Sequence, residues 1–109
     1  MPSDKIIASI RSLVRRGRYR LSIHAERERD RDRIRMAELE EALQSSGLEV
    51  VEDYPGDPRG HSHLVLGFSR SAQPIHVVCA IHEGFLVVIT VYRPDSKLWQ
   101  DSRVRKEEK

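Results

Sequence analysis

The 109-residue chain is long enough for one domain with one modest core. With 39% hydrophobic and 33% charged residues it reads as globular and charge-rich, not as a disordered tract. No apolar run reaches the roughly 18 residues of a membrane helix, and Met1–Lys5 lacks the basic-then-apolar pattern of a signal peptide, so a cytoplasmic protein without membrane contact is expected.

The net charge of +2 is unevenly spread. Residues 1–47 hold 11 Lys/Arg against 8 Asp/Glu, and residues 48–109 hold 8 against 9. Arginine supplies 15 of the 19 basic residues, and its planar fork suits phosphate. A pI near 8.9 permits nucleic-acid contact without demanding it.

Asp4 to Arg16 reads as a first helix, with Ile6, Ile7, Ile10, Leu13 and Val14 as its apolar stripe. Ser3 is the expected N-cap and Gly17 the stop. Tyr19 to Ile23 is short and extended, and Ser22 caps a second helix. Its charges alternate from Glu26 to Arg33, which suits a solvated face with ion pairs and makes a poor polyanion stripe. Met36, Leu39, Ala42 and Leu43 give the next helical stripe, closed by Ser46-Gly47, with a bend expected near Arg33–Met36.

From Leu48 the period changes to two. Leu48–Tyr54, His61–Phe68, Ile75–His82 and Phe85–Arg93 are four strand candidates. Pro55-Gly56-Asp57-Pro58 turns the first pair, and Glu83-Gly84 makes a tight hairpin of the last. Asp95 starts a short tail helix carrying Trp99, and the end, Arg103 to Lys109, reads as frayed. The expected fold is therefore α+β, one domain over 1–109: helices in 1–46, a four-stranded antiparallel sheet in 48–93, a tail in 94–109.

With His82 facing Phe85, strict pairing sets His76 opposite Val91 and Val77 opposite Thr90. His76 and Arg93 then share one sheet face, Thr90 and Tyr92 the other, unless a bulge intervenes. His24 suits proton transfer, and Arg27, three residues on, suits a phosphate clamp on the same helix face. Tyr92 suits phosphate positioning or base stacking. The plain alternatives are a helix-anchoring His24, a surface Arg27, a structural His76, a core Tyr92 and a surface Arg93. Cys79, inside an apolar run, reads as a small buried hydrophobe. His61-x-His63 with His82 has a single spacing of two, no paired cysteines and no helical His-x-x-x-His, so neither metal nor cofactor is expected.

Tyr19–Arg27 (Y-R-L-S-I-H-A-E-R), Ile34–Leu43, Ile75–Val78 and Ile89–Trp99 (I-T-V-Y-R-P-D-S-K-L-W) together resemble the small prokaryotic family called domain of unknown function 4258. That family is similar in fold to the RelE/ParE and BrnT toxins of type II toxin–antitoxin systems, which pack N-terminal helices on an antiparallel sheet. The resemblance implies a toxin that cuts RNA without metal, partnered by a small antitoxin protein and acting on RNA or the ribosome. The family's motif positions fall on His24, Arg27, Thr90, Tyr92 and Trp99. Catalysis is expected from His24, Arg27 and Tyr92, and binding from Thr90, His76, Arg93 and Trp99. The alternative is a non-catalytic module that binds a partner protein through an apolar groove and Trp99. Members often have Arg-Gly-Ile followed by Ser or Thr where this chain has Asp32-Arg33-Ile34-Arg35, which bears on the bend between helices.

Overall fold

The computed structural model describes residues 2–106. Helix α1 spans Pro2–Arg15, strand β1 Tyr19–Leu21, helix α2 Ile23–Arg31 and helix α3 Met36–Leu43. Strands β2 (Glu49–Tyr54), β3 (Ser62–Phe68), β4 (Pro74–His82) and β5 (Phe85–Tyr92) follow, then β6 (Trp99–Gln100) and β7 (Val104–Arg105). The expected N-cap Ser3 lies inside α1, which begins at Pro2, because proline's fixed φ suits the first helical turn. The helix stops where Gly17 takes φ +70 and the amides of Gly17 and Arg18 bond back to Val14 and Leu13.

The α+β class and the four antiparallel strands are as the sequence indicates, but the sheet is larger and mixed. Its order is β1-β5-β4-β3-β2, with β1 running parallel to β5. Three residues at Tyr19–Leu21 thus extend the four-stranded antiparallel sheet. The bend between α2 and α3 is made by Arg33, at φ +54, where glycine is the residue without steric cost. Arg35 is the N-cap of α3 and brings no acceptor, so only Glu38 closes the cap, taking the Arg35 amide at 3.2 Å.

Ile10, Leu39, Leu43, Val65, Ile75, Val77, Cys79, Leu86, Val88 and Val91 form the main core between helices and sheet. Burial pushes the Cys79 thiol up to about 12, which leaves it an inert hydrophobe. Gly67 lets α3 touch β3: a Cβ there would lie 2.2 Å from the Ala42 carbonyl oxygen.

Two bulges decide which side chains share a face. Between β4 and β5 the register shifts after Cys79↔Val88, giving Val78↔Thr90, Val77↔Val91 and His76↔Tyr92. The extra residue, Ile89, corrects the strict pairing: His76, Thr90 and Tyr92 lie together on the face away from the helices. In β2 the shift between Val50 and Glu52 does the same, setting Glu49 opposite Leu66 and Glu52 opposite Leu64. Val50 and Asp53 turn to the helix side, where Asp53 faces His63.

The tail corrects a second expectation. Residues 99–105 are a β-hairpin, not a helix with a frayed end; Glu107 to Lys109 lie outside the described residues. Leu64, Leu66 and His76 have no exposed surface, and Trp99 is buried. The hairpin reaches this face through Trp99 and Ser102, which contact His76, and through Arg103 and Arg105, which pair with Glu49 and Glu52. No helix among the described residues is long and apolar enough to cross a membrane.

Candidate functional site

The β5 edge beyond β1 carries backbone groups that no strand among the described residues pairs. Ser22 Oγ donates to the Ile89 carbonyl at 2.8 Å and accepts from the Ala25 amide, so the α2 cap also ties helix to strand. One turn on, Glu28 accepts from the Val91 amide at 3.1 Å, and Asp32 from the Arg93 amide at 2.9 Å. These two carboxylates, four residues apart, stand in for a missing strand. They sit in the stretch whose alternating charges suggested only surface ion pairs.

His24 lies one turn before Glu28, its Nε2 3.2 Å from Glu28 Oε1. The imidazole is 67% exposed, while the carboxylate is 11% exposed and already fixed by the Val91 amide. A neutral His24 that donates from Nε2 to Glu28 presents Nδ1 as an acceptor to solvent. Arg27 is exposed and lines a shallow hollow with Leu21, Ile23, Glu26 and Asp30. Among the described residues no carboxylate pairs with it, and no hydrogen bond joins it to His24.

His76 sits at the centre of the far face, buried under the tail hairpin. Its Nε2 donates to the Ser102 carbonyl at 2.6 Å, so Nδ1 accepts from the Tyr92 hydroxyl at 3.1 Å. The Trp99 ring meets it edge-on, centroids 4.5 Å apart. Burial lowers the His76 pKa, favouring the neutral form, and raises the Tyr92 phenol to about 12. Glu52 takes a bidentate pair from Arg105 at 2.8 and 3.1 Å and a hydrogen bond from Tyr54. The Arg105 guanidinium also stacks 4.6 Å over Trp99. Burial works against the Glu52 charge, but Arg105 and Tyr54 hold its carboxyl below the ordinary range.

Of the expected site residues, the structure brings His76, Thr90, Tyr92 and Trp99 to one face. Thr90 pairs with Val78 beside them. Arg93 goes elsewhere: its guanidinium donates to the carbonyls of Asp32 and Arg33 and pairs with Glu38 at 3.1 Å, which locks the bend between α2 and α3. His24 and Glu28 lie at the β5 edge next to this face, with Arg27 on the same helical turn. Sequence reasoning missed Glu28, Glu52, Tyr54, Ser102 and Arg105. The alternation Arg103-Val104-Arg105 was a strand signal, hidden by the charged residues after it.

His61 and His63 do converge, without His82 and with Asp53 instead. Asp53 Oδ1 lies 2.6 Å from His61 Nε2 and 2.8 Å from His63 Nδ1. His82 pairs with Glu83, 3.7 Å away.

No curated protein and no solved structure matches this chain. The family model described as Domain of unknown function (DUF4258) matches residues 21–93, from the end of β1 through β5, and so takes in His24, Arg27, Glu28, His76, Thr90 and Tyr92. The match covers about two thirds of the sequence, and the chain belongs to this family.

Proposed function

We propose that the protein is a toxin-type endoribonuclease that cuts RNA without a metal ion. The observation that carries this reading is the exposed His24 imidazole held by an inward-facing Glu28. Glu28, itself fixed by the Val91 amide, orients the ring through its contact with Nε2. Nδ1 of His24 takes the proton from a ribose 2′-OH, whose oxygen attacks the adjacent phosphorus; the P–O5′ bond then breaks, solvent water protonates the leaving 5′-oxygen, and the products are a 2′,3′-cyclic phosphate and a 5′-hydroxyl. Arg27, without a carboxylate partner among the described residues, neutralises the charge gathering on the phosphorane. Tyr92 stays a neutral phenol at pH 7; its hydroxyl donates to His76, so its ring, with Thr90 beside it, offers a surface on which a base stacks. His76 and Trp99 support Tyr92 from behind. The order of helices before antiparallel strands, and the resemblance of the motif residues to a family similar to RelE/ParE and BrnT toxins, support the same reading, with a small antitoxin as partner.

Expression of the chain alone is expected to arrest growth, and His24→Ala to relieve the arrest while the variant stays folded. Wild-type protein that neither arrests growth nor cuts naked or ribosome-bound RNA contradicts the reading.

A second reading, a non-catalytic module that binds a partner protein, is favoured by apolar surface. Ile23, Leu98 and Val104 are exposed, and a hollow of about 310 Å³ on the far face is lined by Ser22, Arg59, Ala80, His82, Val87 and Ile89. A pulldown returning one stoichiometric small protein, with no nuclease activity once it is removed, supports this reading over the first.

A further inference from the structure

We propose that Asp53, His61 and His63 form a binding site for one divalent transition-metal ion of the zinc class. The three ligand atoms lie within 4.8 Å of one another. They come from two adjacent strands and the turn between them. Asp53 and His63 are direct cross-strand partners, and the bulge at Val51 is what turns Asp53 to the side of His63. His61 is held by a braced turn: Asp57 accepts from the Arg59 amide and guanidinium and from Ser62 Oγ. The cluster is thus set by backbone geometry more than by flexible surface rotamers.

The donor set selects the ion. Two imidazoles and one carboxylate suit Zn²⁺, Co²⁺, Ni²⁺ or Cu²⁺, whereas Mg²⁺ and Ca²⁺ prefer oxygen ligands throughout. Both imidazole nitrogens point at one oxygen, Asp53 Oδ1, at 2.6 and 2.8 Å. An ion that replaces those two shared protons needs bonds of about 2.0–2.2 Å, which separates the ligands only slightly. The two rings already sit 4.4 Å apart, so little rearrangement brings both nitrogens to one ion. Beyond the cluster a hollow of about 290 Å³, also lined by Ser3, Ile6 and Val50, leaves room for water at a fourth position. The site stands at the β2 edge of the sheet, and His24 at the opposite edge, so it is independent of the RNA-cutting proposal.

The test is titration of tag-free, EDTA-stripped full-length protein with Zn²⁺, and with Co²⁺ followed by visible absorption. One equivalent of either ion is expected to bind with a dissociation constant at or below about the micromolar range, Co²⁺ giving d–d bands. His61→Ala and Asp53→Asn each alter a half-exposed side chain and are expected to weaken binding about tenfold or more, with His82→Ala unchanged. Absence of saturable one-to-one binding overturns the proposal. So does a loss smaller than tenfold in both ligand variants, or an equal loss in His82→Ala.

Discussion

His76 is the residue on which the far face closes. Both ring nitrogens are used, and the ring has no exposed surface. Replacing it with alanine leaves a cavity and strands the Ser102 carbonyl and the Tyr92 hydroxyl, at a cost of about 2–4 kcal/mol. Tyr92→Phe leaves only Nδ1 unmet and costs about 1–2 kcal/mol. Urea unfolding checks both. The same burial predicts a pH effect. The pKa values of His76 and His63 lie below the ordinary 6.5, in both cases chiefly through burial. Above 6.5 both states leave these rings neutral; below it the unfolded chain gains protons first, so stability falls as pH drops from about 6.5 towards the lower folded values. The carboxylates act in a separate window. Burial opposes the charge of Glu38, but the Arg35 amide and Arg93 outweigh it and hold the pKa below the ordinary 4.5. Its contribution is complete above about 4.5 and is lost as pH falls through its folded value. The urea midpoint therefore declines in two stages, and His76→Gln flattens the first. Arg33 supplies a prediction of opposite sign: at φ +54, Arg33→Gly removes steric strain and is expected to stabilise by about 0.5–1 kcal/mol, seen as a raised melting temperature.

At the scale of elements, periodicity was a good guide to what each segment becomes and a poor one to which way its residues point. The stripe Ile7, Ile10, Leu13 and Val14 is buried as its spacing demands, Ser22 caps α2, and Glu83-Gly84 turns with both φ positive. The bulges at Val51 and Ile89 were not legible, because an extra valine or isoleucine next to another aliphatic residue leaves no compositional mark. Those bulges put Tyr92 beside His76 and Asp53 beside His63, so the sites were harder to read than the fold. The close approach of α3 to β3 was equally silent in the sequence, since Gly67 sits inside an apolar run. Gly67→Ala is expected to push the helix off the strand and cost about 1–3 kcal/mol, measurable by thermal unfolding, with the helix content of the folded state retained.

Across the whole molecule, one sheet is covered twice. Helices close one face with an aliphatic core, and a seven-residue hairpin closes the end of the other with Trp99 and arginine–glutamate pairs. Charged composition disguised that hairpin as a tail, because its binding groups are arginines rather than aliphatic side chains. Trp99→Ala is expected to cost about 3 kcal/mol or more and to free the hairpin, read as faster amide exchange at Leu64 and Leu66 with little change at Val77. The two candidate sites lie at opposite edges of the sheet, His24 with Glu28 beside β5 and Asp53 with the paired histidines beside β2. One fold thus holds them far enough apart to be tested separately.

The most direct measurement is the chemistry of RNA ends after incubation with the purified chain in EDTA. Attack by the 2′-OH predicts fragments ending in a 2′,3′-cyclic phosphate, with the rate lowered about 10²–10⁴-fold in His24→Ala and clearly reduced in Glu28→Gln. Fragments ending in a free 3′-OH, cleavage that His24→Ala leaves unchanged, or no cleavage at all would contradict the account.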